Sequence, residues 1–328
     1  MDATTPDPTA GTPASGAVDP GTPGDRAPDA LDRLLEVLDL RHLEGWGPRG
    51  EEDVLRGDSV PGPANRAYGG QVLAQAIIAA DRTVPEGRQI HSLHGYFLRE
   101  GRVEEPIDFA VERLRDGRSF SARRTHAIQF GKPILSMIAS FQEDQPGYEH
   151  AMPMPHDVPP PEEVGSSLDE LANVPGGVDA RAQFWADSAF ELRHVGGSLY
   201  LHPDTAVADG GTPPATQLVW MRARRPLGIK SQAMHRALLA FACDQLMLEP
   251  AMRAAGKSWQ DVAVSVPMAS LDHGMWWHRD VWVDEWMLFV QTSPTAQGGR
   301  ALGTAQVYRQ DGALVASVGQ EGMIRLPA

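Results

Sequence analysis

The chain repeats one pattern, in which a long apolar helix precedes a series of strands that are separated by tight turns. The helices are predicted at Val72–Asp81 and Ser231–Ala255. Landmarks in the two halves recur at a nearly constant offset of about 180 residues. The matching landmarks are Ser92–Gly95 with Ser270–Gly274, Gly117-Arg118 with Gly299-Arg300, and Gly131 with Gly312. The pattern predicts a duplicated α+β fold, in which each antiparallel sheet wraps around its own long helix and the two sheets join.

Alternation of apolar and polar residues between glycine-containing turns predicts the strands of both halves. The predicted strands are Ile90–Leu98, Ile107–Leu114, Ser119–Ile128, Ile134–Phe141, Phe190–Arg193, Gln217–Arg222, Trp286–Thr292, Ala301–Tyr308 and Ala313–Met323. A shift in composition towards proline, acid and methionine separates the two halves. The predicted organisation is a disordered tail at residues 1–28, a first unit at 29–142, a proline-rich linker at 143–179 and a second unit at 180–328.

Composition limits the partners and the compartment. The net charge of −14 and the pI of about 5.2 argue against nucleic acid or an anionic membrane as the main partner, because both need a basic surface. No apolar run approaches the roughly 18–20 residues of a membrane span. Residues 1–28 match neither a signal peptide nor a transit peptide. The single cysteine, Cys243, fits a reducing compartment, so we expect a cytoplasmic protein.

Asp244 is the first candidate for chemistry, because it lies within the apolar helix segment Phe241–Leu248. A carboxylate buried there needs hydrogen-bonding partners from elsewhere in the fold. The candidate partners are Ser270, just before a strand, and Gln320, within a strand. Together the three side chains offer a base for water and neutral groups that orient the water and a carbonyl, which is what direct hydrolysis requires. We therefore predict that they form one site, carried by the second unit.

Other polar residues are candidates for substrate binding. Gly70 and Gln71 open the first long helix, where a glycine pair permits close approach of a ligand or, equally, tight packing on a sheet. Arg123 and Arg124 are basic groups in an acidic chain, and they suit either a substrate phosphate or a solvated strand edge. His273 completes this group of candidates.

A metal site is not predicted. His91 and His94, like His273 and His278, are an odd number of residues apart, so they would point to opposite faces of a regular strand. HExxH and paired-cysteine patterns are absent from the sequence. A GxSxG elbow is absent as well, which argues against a serine hydrolase of the α/β type.

Several ordered motifs resemble those of one known family. The motifs are Tyr68–Val72, Phe97–Arg99, Leu114–Arg124, Gly131–Ile134, Ala139–Gln142, Leu271–Trp276 and Gln320–Gly322. They are similar to motifs of the type II acyl-CoA thioesterases of the TesB class, and the resemblance extends from about Leu31 to Arg325. It implies a double hotdog fold and hydrolysis of medium- to long-chain fatty acyl-CoA to free fatty acid and CoA. It also implies that there is no metal or organic cofactor and that the chains assemble into homo-oligomers, either dimers or tetramers.

The resemblance assigns roles to the three candidate residues. The family uses an aspartate on the second hotdog helix, a threonine or serine just before an Asp-His motif, and a glutamine on the last strand. These positions are Asp244, Ser270 and Gln320 here, and Ser270 stands where the bacterial type member has threonine. The expected mechanism is direct attack on the thioester by a water that Asp244 deprotonates. Backbone N–H groups near the start of the long helix are expected to bind the oxyanion.

Two other functions are compatible with the same scaffold. A hydratase or dehydratase of this architecture uses a DxNPxH pattern, which is absent from the sequence. A non-catalytic acyl-CoA-binding protein would tolerate loss of the acid, so the presence of all three residues argues against it. Hydration of an enoyl-CoA would identify the first alternative, and binding without turnover would identify the second.

Overall fold

A computed structural model of the protein describes residues 29–44, 52–62, 65–178, 183, 186–202, 215–229 and 231–325. The predicted disordered tail, residues 1–28, lies outside the described residues. The helices are α1 (Ala30–Leu38), α2 (Gly69–Asp81), α3 (Ser167–Ala172), α4 (Gln232–Leu246), α5 (Glu249–Ala254) and α6 (Trp259–Val264), with a 3₁₀ turn at Pro161–Glu163. Within the part of the chain that the structure describes, no helix is long and apolar enough to cross a bilayer.

The strands form one 13-stranded antiparallel sheet. They are β1 (Arg41–Leu43), β2 (Asp53–Gly57), β3 (Arg88–Phe97), β4 (Ile107–Asp116), β5 (Phe120–Gln129), β6 (Lys132–Glu143), β7 (Phe190–Val195), β8 (Thr216–Ala223), β9 (Met268–Ser270), β10 (Asp272–Trp277), β11 (Met287–Gln297), β12 (Arg300–Arg309) and β13 (Leu314–Ile324). The predicted strands correspond to β3–β8 and β11–β13, with ends that differ by a few residues. The strands β1, β2, β9 and β10 are not among those predicted.

The order of the strands shows the duplication. Across the sheet it is β1-β2-β4-β5-β6-β3-β10-β13-β12-β11-β8-β7, with β9 paired to β13. Each half therefore runs outward from a central strand, β3 or β10, through the same series of neighbours. The two central strands pair in antiparallel fashion, and their ladder is centred on His94 and Gly274. The prediction of a duplicated α+β fold with two joined sheets is confirmed.

The helices α2 and α4 pack against each other and against the sheet. Every residue from Gly70 to Ala80 is buried, as the nearly uniform apolar composition of this segment predicts. A Cβ atom at Gly70 would lie 2.4 Å from the carbonyl oxygen of Phe241, and the Tyr68 hydroxyl donates to that oxygen at 2.9 Å. Of the two roles that the sequence allowed for Gly70, the structure therefore supports tight packing.

The single helix predicted from Ser231 onwards is in fact two helices, α4 and α5. Pro250 has no N–H group with which to continue the helix to the carbonyl of Leu246. Nε2 of Gln291 donates to that carbonyl instead, at 3.2 Å. The junction also lies so close to β12 that a Cβ atom at Gly303 would come within 1.8 Å of one of its carbonyl oxygens. The helix is therefore interrupted at Met247 and Leu248, directly after the segment that carries the candidate acid.

The proline-rich segment predicted as a linker packs against the second half of the protein. Leu168 and Leu171 of α3 are buried in the main hydrophobic core. The indole N–H of Trp220 donates to the carbonyl of Pro159 at 2.9 Å. The segment therefore connects the two halves and also contributes to the core of the second one. The unit boundaries at residues 142 and 180 stay a prediction.

Candidate active site

Asp244, Ser270 and Gln320 meet at the C-terminal end of α4. The antiparallel pairing of β9 with β13 sets Ser270 opposite Gly322, two residues along the strand from Gln320. The Ser270 hydroxyl donates to Asp244 Oδ1 at 2.7 Å. Nε2 of Gln320 donates to Asp244 Oδ1 and to the Ser270 hydroxyl oxygen, both at 2.9 Å. The structure thus brings together the three side chains that the sequence analysis placed in one site.

His273 fixes the orientation of the glutamine. An ionised carboxylate only accepts hydrogen bonds, so the amide NH₂ of Gln320 must be the group that faces Asp244. The amide oxygen then faces His273 and accepts from Nδ1 at 2.6 Å. Burial lowers the pKa of the His273 imidazole, so the ring is neutral and carries its proton on Nδ1. His273 therefore contacts Gln320 from behind and does not line the cavity described below, which contradicts its prediction as a substrate-binding residue.

The start of α2 closes the site from the first half of the chain. A Cβ atom at Gly69 would lie 2.8 Å from Asp244 Oδ2 and 3.1 Å from the ring of Phe97. The α2 backbone can therefore approach the carboxylate this closely only because residue 69 is glycine. The first N–H groups of a helix have no partner within the helix, and the helix dipole favours negative charge at that end. Asp244 consequently lies next to the positive end of the α2 dipole.

A cavity of about 610 Å³ opens beside these residues. Its lining residues are Arg66, Ala67, Tyr68, Gly69, Phe97, Leu98, Arg99, Glu100, Asp244, Gln245, Leu248, Trp259, Val262, Met268, Ala269, Ser270 and Leu271. One end of the cavity is apolar. Its lining includes Leu248, four residues after Asp244, and Met268, two residues before Ser270. The α6 residues that complete this end are Trp259 and Val262.

The opposite end of the cavity is charged. Arg66 lies just before α2 and Arg99 lies just after β3. Arg66 forms an exposed ion pair with Glu100 at 2.9 Å, and Nη1 of Arg99 donates to the carbonyl of Pro133 at 2.7 Å. The cavity lining therefore includes both an apolar surface and a cationic surface beside Asp244.

The arginines predicted as phosphate ligands lie elsewhere. Arg123 is fully buried on β5, where Nε donates to the Thr83 hydroxyl and Nη2 donates to Asp116, each at 2.8 Å. Its guanidinium is therefore held inside the protein, which contradicts a phosphate-binding role. Arg124 points to the other face of the strand, forms an ion pair with Glu112 at 3.2 Å, and does not line the cavity.

Gln71, predicted as a substrate-binding residue together with Gly70, also serves packing. It is fully buried, accepts a hydrogen bond from the Val60 N–H at 2.9 Å and donates to Gln75 Oε1 at 3.1 Å. Neither Gly70 nor Gln71 lines the cavity. The helix residue that reaches the candidate acid is Gly69, one position earlier.

The sequence analysis did not identify the walls of the cavity. Leu248 and Met268 look like ordinary core residues, and the only signal that could have separated them is their spacing of four and two residues from the candidate acid and serine. Arg66 lies far along the chain from both, and Trp259 lies between them on a separate short helix, so no local pattern places either residue at the site.

The two halves of the chain match two related domains. Residues 58–142 match the family described as the acyl-CoA thioesterase N-terminal domain, and residues 155–324 match the acyl-CoA thioesterase C-terminal domain. The chain belongs to the acyl-CoA thioesterase II family. The TesB-like resemblance and the double hotdog fold that the sequence analysis inferred are confirmed by this membership.

Relatives in the acyl-CoA thioesterase II family align over nearly the whole chain. The protein is 36% identical to acyl-coenzyme A thioesterase 8 of Homo sapiens, over 93% of each chain. It is 35% identical to acyl-CoA thioesterase 2 of Haemophilus influenzae, over 90% of this chain and 98% of the other. The crystal structure of the acyl-CoA thioesterase II TesB2 from Mycobacterium marinum is 37% identical and has a TM-score of 0.69, covering 90% of this chain and 99% of that one.

Proposed function

We propose that this member of the acyl-CoA thioesterase II family hydrolyses medium- to long-chain fatty acyl-CoA to fatty acid and CoA, with Asp244 as the general base. The supporting observation is that Asp244, Ser270 and Gln320 are hydrogen-bonded to one another beside a cavity with one apolar and one cationic end. An acyl-CoA has the matching polarity, because its acyl chain is apolar, its CoA carries phosphates, and the thioester lies between them.

The cationic end suits the CoA moiety. The side chains of Arg66 and Glu100 are about two-thirds exposed, at 62% and 67%, and an exposed ion pair contributes only about 0–1 kcal/mol. Arg66 can therefore leave Glu100 for a phosphate oxygen, to which a guanidinium donates stronger, charge-assisted hydrogen bonds. Arg99, on the neighbouring wall, supplies a second guanidinium.

The hydrogen bonds within the site orient the base. Asp244 Oδ1 accepts from both Ser270 and Gln320, which fixes the plane of the carboxylate. Oδ2 is left on the side of Gly69, at the start of α2. The attacking water binds to Oδ2 and is held in line with the thioester carbonyl by this fixed geometry.

The reaction balances without any further group. Asp244 removes a proton as the water oxygen bonds to the carbonyl carbon, and the resulting oxyanion accepts from free N–H groups in the first turn of α2. Collapse of this intermediate breaks the C–S bond. The proton on Asp244 then passes to the departing thiolate, so that the carboxylate is ionised again for the next turnover.

The alternatives fit the site less well. A hydratase or dehydratase of this architecture pairs its acid with a histidine at the substrate, whereas His273 lies behind Gln320 and does not line the cavity. A protein that only binds acyl-CoA has no use for two neutral donors that fix the orientation of one carboxylate. The geometry therefore favours hydrolysis over both.

The first experiment measures thiol release from butyryl-CoA and palmitoyl-CoA by the wild type and by Asp244→Asn, with hydration of crotonyl-CoA followed in parallel. We expect release by the wild type, loss of release in the variant, and no hydration. Hydration without thiol release would support the hydratase. Binding of palmitoyl-CoA with neither reaction would support the acyl-CoA-binding protein.

A second experiment tests for direct attack by water. Thiol and fatty acid are then released in equal amounts from the first turnover onwards, and acid-quenched protein carries no acyl group in its mass spectrum. A rapid initial burst of thiol together with an acylated chain would instead indicate a covalent intermediate on Asp244 or Ser270 and would contradict the mechanism.

We further propose that the protein forms homo-oligomers, by analogy with its family, and that it is cytoplasmic, because its single cysteine fits a reducing compartment. Light scattering on the purified full-length chain measures the number of subunits, and fractionation of the producing cells locates the protein. A monomer at micromolar concentration would contradict the first part of this proposal.

A further inference from the structure

We propose that Trp259 sets the acyl-chain preference of this enzyme by forming the wall that the acyl chain reaches beyond Asp244. The inference rests on the proposed thioesterase function and assigns a determinant of its substrate range. It is carried by the direction in which the cavity runs from the site and by the way in which the indole of Trp259 is anchored.

Two elements lead from the reacting centre to the same wall. Leu248 follows Asp244 by four residues, just beyond the C-terminal end of α4, and both side chains line the cavity. Met268 precedes Ser270 by two residues on β9, which is about 6–7 Å along a strand. Both side chains pack with Trp259 of α6 in one apolar cluster. An acyl chain that extends from the thioester between these elements therefore meets the indole within a short distance.

The position of Leu248 in this wall is also fixed. A Cβ atom at Gly322 would lie 2.2 Å from Leu248 Cδ1, so β13 and this side chain are in direct contact. Leu248 cannot move towards the sheet to make room for a longer chain. Room for a longer acyl chain must therefore come from the side of the cavity that Trp259 forms.

The indole of Trp259 is held by a buried carboxylate. Its Nε1–H donates to Glu249 Oε1 at 2.7 Å. The other oxygen of Glu249 accepts from Nε2 of His194 at 2.9 Å and from Nε2 of Gln217 at 2.5 Å. Burial alone would raise the pKa of Glu249, but His194, Trp259 and Gln217 together hold it below its usual value, so the carboxylate is ionised and a strong acceptor.

The hydrogen-bond network that holds Trp259 extends into the core of the second half. Nδ1 of His194 is hydrogen-bonded to the Ser167 hydroxyl of α3 at 2.7 Å. The backbone of Trp259 is held as well, because its N–H donates to the carbonyl of Leu199 at 2.9 Å. With both its backbone and its ring fixed, Trp259 is a rigid wall and not a side chain that moves aside for each substrate.

The test compares kcat/KM for butyryl-, octanoyl- and palmitoyl-CoA in Trp259→Ala, Trp259→Phe and the control Val264→Ala. Val264 lies on the same helix but is 87% exposed. Each methylene newly buried contributes about a fourfold gain in affinity. Trp259→Ala should therefore raise the palmitoyl-to-butyryl ratio of kcat/KM about tenfold or more. Trp259→Phe keeps a ring without the anchoring N–H and should raise the ratio less, and Val264→Ala should leave it unchanged.

Equal loss of kcat/KM for all three esters in Trp259→Ala, or a ratio within twofold of the wild type, would overturn the inference. If the alanine variant does not fold, as judged by its Tm, Trp259→Leu carries the same test with a smaller change in volume. Failure of the proposed function is distinguishable, because the wild type itself would then release no thiol from any of the esters.

Discussion

The two ends of the duplicated fold each carry an aspartate at the same helical position, and they differ in what surrounds it. Asp81 lies twelve residues after the first residue of α2 (81 − 69), and Asp244 lies twelve residues after the first residue of α4 (244 − 232). Asp244 has a serine, a glutamine and a cavity beside it. Both halves thus have the helical aspartate, and the two halves differ in the side chains that surround it.

The register of the sheet identifies the counterparts of the polar partners. The two halves are related about the centre of the ladder between β3 and β10, where His94 pairs with Gly274. The counterparts are Ile90 for Ser270, Leu93 for His273 and Ala139 for Gln320. The sequence landmark that matched Ser92–Gly95 with Ser270–Gly274 is therefore out of register in the structure. All three polar positions of the second half are therefore apolar in the first half, and all three counterparts are buried.

Asp81 consequently has a different electrostatic environment. Burial raises its pKa to about 6, although Arg236 and Arg82 act in the opposite direction. Nη1 of Arg236 donates to the carbonyl of Ile90 at 2.5 Å, so this guanidinium lies next to the counterpart of Ser270. A carboxylate in an apolar helix is thus common to both ends, and the side chains of the neighbouring strands distinguish the two ends.

The largest expected difference between the two ends is in turnover. Asp244→Asn keeps the shape of the side chain and removes the base, so kcat should fall by roughly a thousandfold, within the range found for general bases. Asp81→Asn is the matched control and should leave kcat within about twofold. Steady-state thiol release by both variants measures this. A kcat for Asp244→Asn above a tenth of the wild-type value would refute the assignment of the base.

The next effect concerns the serine that the first half lacks. Ser270→Ala removes one hydrogen bond to the carboxylate, and such a bond contributes about 1.5–3 kcal/mol, so kcat should fall roughly 10- to 100-fold. Ser270→Thr restores the hydroxyl and should keep most of the activity. Equal kcat values for the alanine and threonine variants would show that the hydroxyl does not act in the reaction.

A smaller effect is expected where the first half closes the site. Gly69→Ala would place a Cβ atom 2.8 Å from Asp244 Oδ2, so the helix start must move and kcat should fall about tenfold. Gly147→Ala, with no atom within 4 Å of the added Cβ, is the control and should change nothing. Wild-type kcat in Gly69→Ala would show that the contact between α2 and the carboxylate is not needed.

The smallest effect on turnover is expected at the other end, where Asp81 affects stability instead. The raised pKa of Asp81 means that the folded protein binds this proton more tightly than the unfolded chain, so stability from this group is present at low pH and is lost as pH rises through about 6. The loss is at most about 3 kcal/mol. Asp81→Asn should therefore gain Tm relative to the wild type between pH 4 and pH 7, measured by thermal unfolding. A pH-independent difference in Tm would contradict the shift.

The architecture was largely predictable from the sequence, because it depends on local patterns. Alternation and turns locate most strands, and the repeated landmarks give the duplication. The break after Leu246 was not predicted, although Pro250 marks it, because the helix pattern continues on both sides. The strands β1 and β2 are too short to show an alternating pattern.

The site was predictable only in part. Asp244 is visible as an acid within an apolar helix, but its contact with Ser270 and Gln320 depends on the register between β9 and β13, which no local pattern specifies. The family resemblance assigned roles to those two residues. Arg123 shows the converse error, since its charge indicated solvent while the alternation of β5 places it on the buried face.

The pairing of β3 with β10 limits how a gene for such a protein can be shortened. Cutting the chain between the two halves would free the N–H and C=O groups along both central strands, and open strand edges promote aggregation. The second half alone would keep Asp244, Ser270 and Gln320 but lose Gly69 and its helix start. Fusion of the two copies is therefore a step that truncation cannot reverse. A viable split version must express both fragments together and recover activity as a heterodimer.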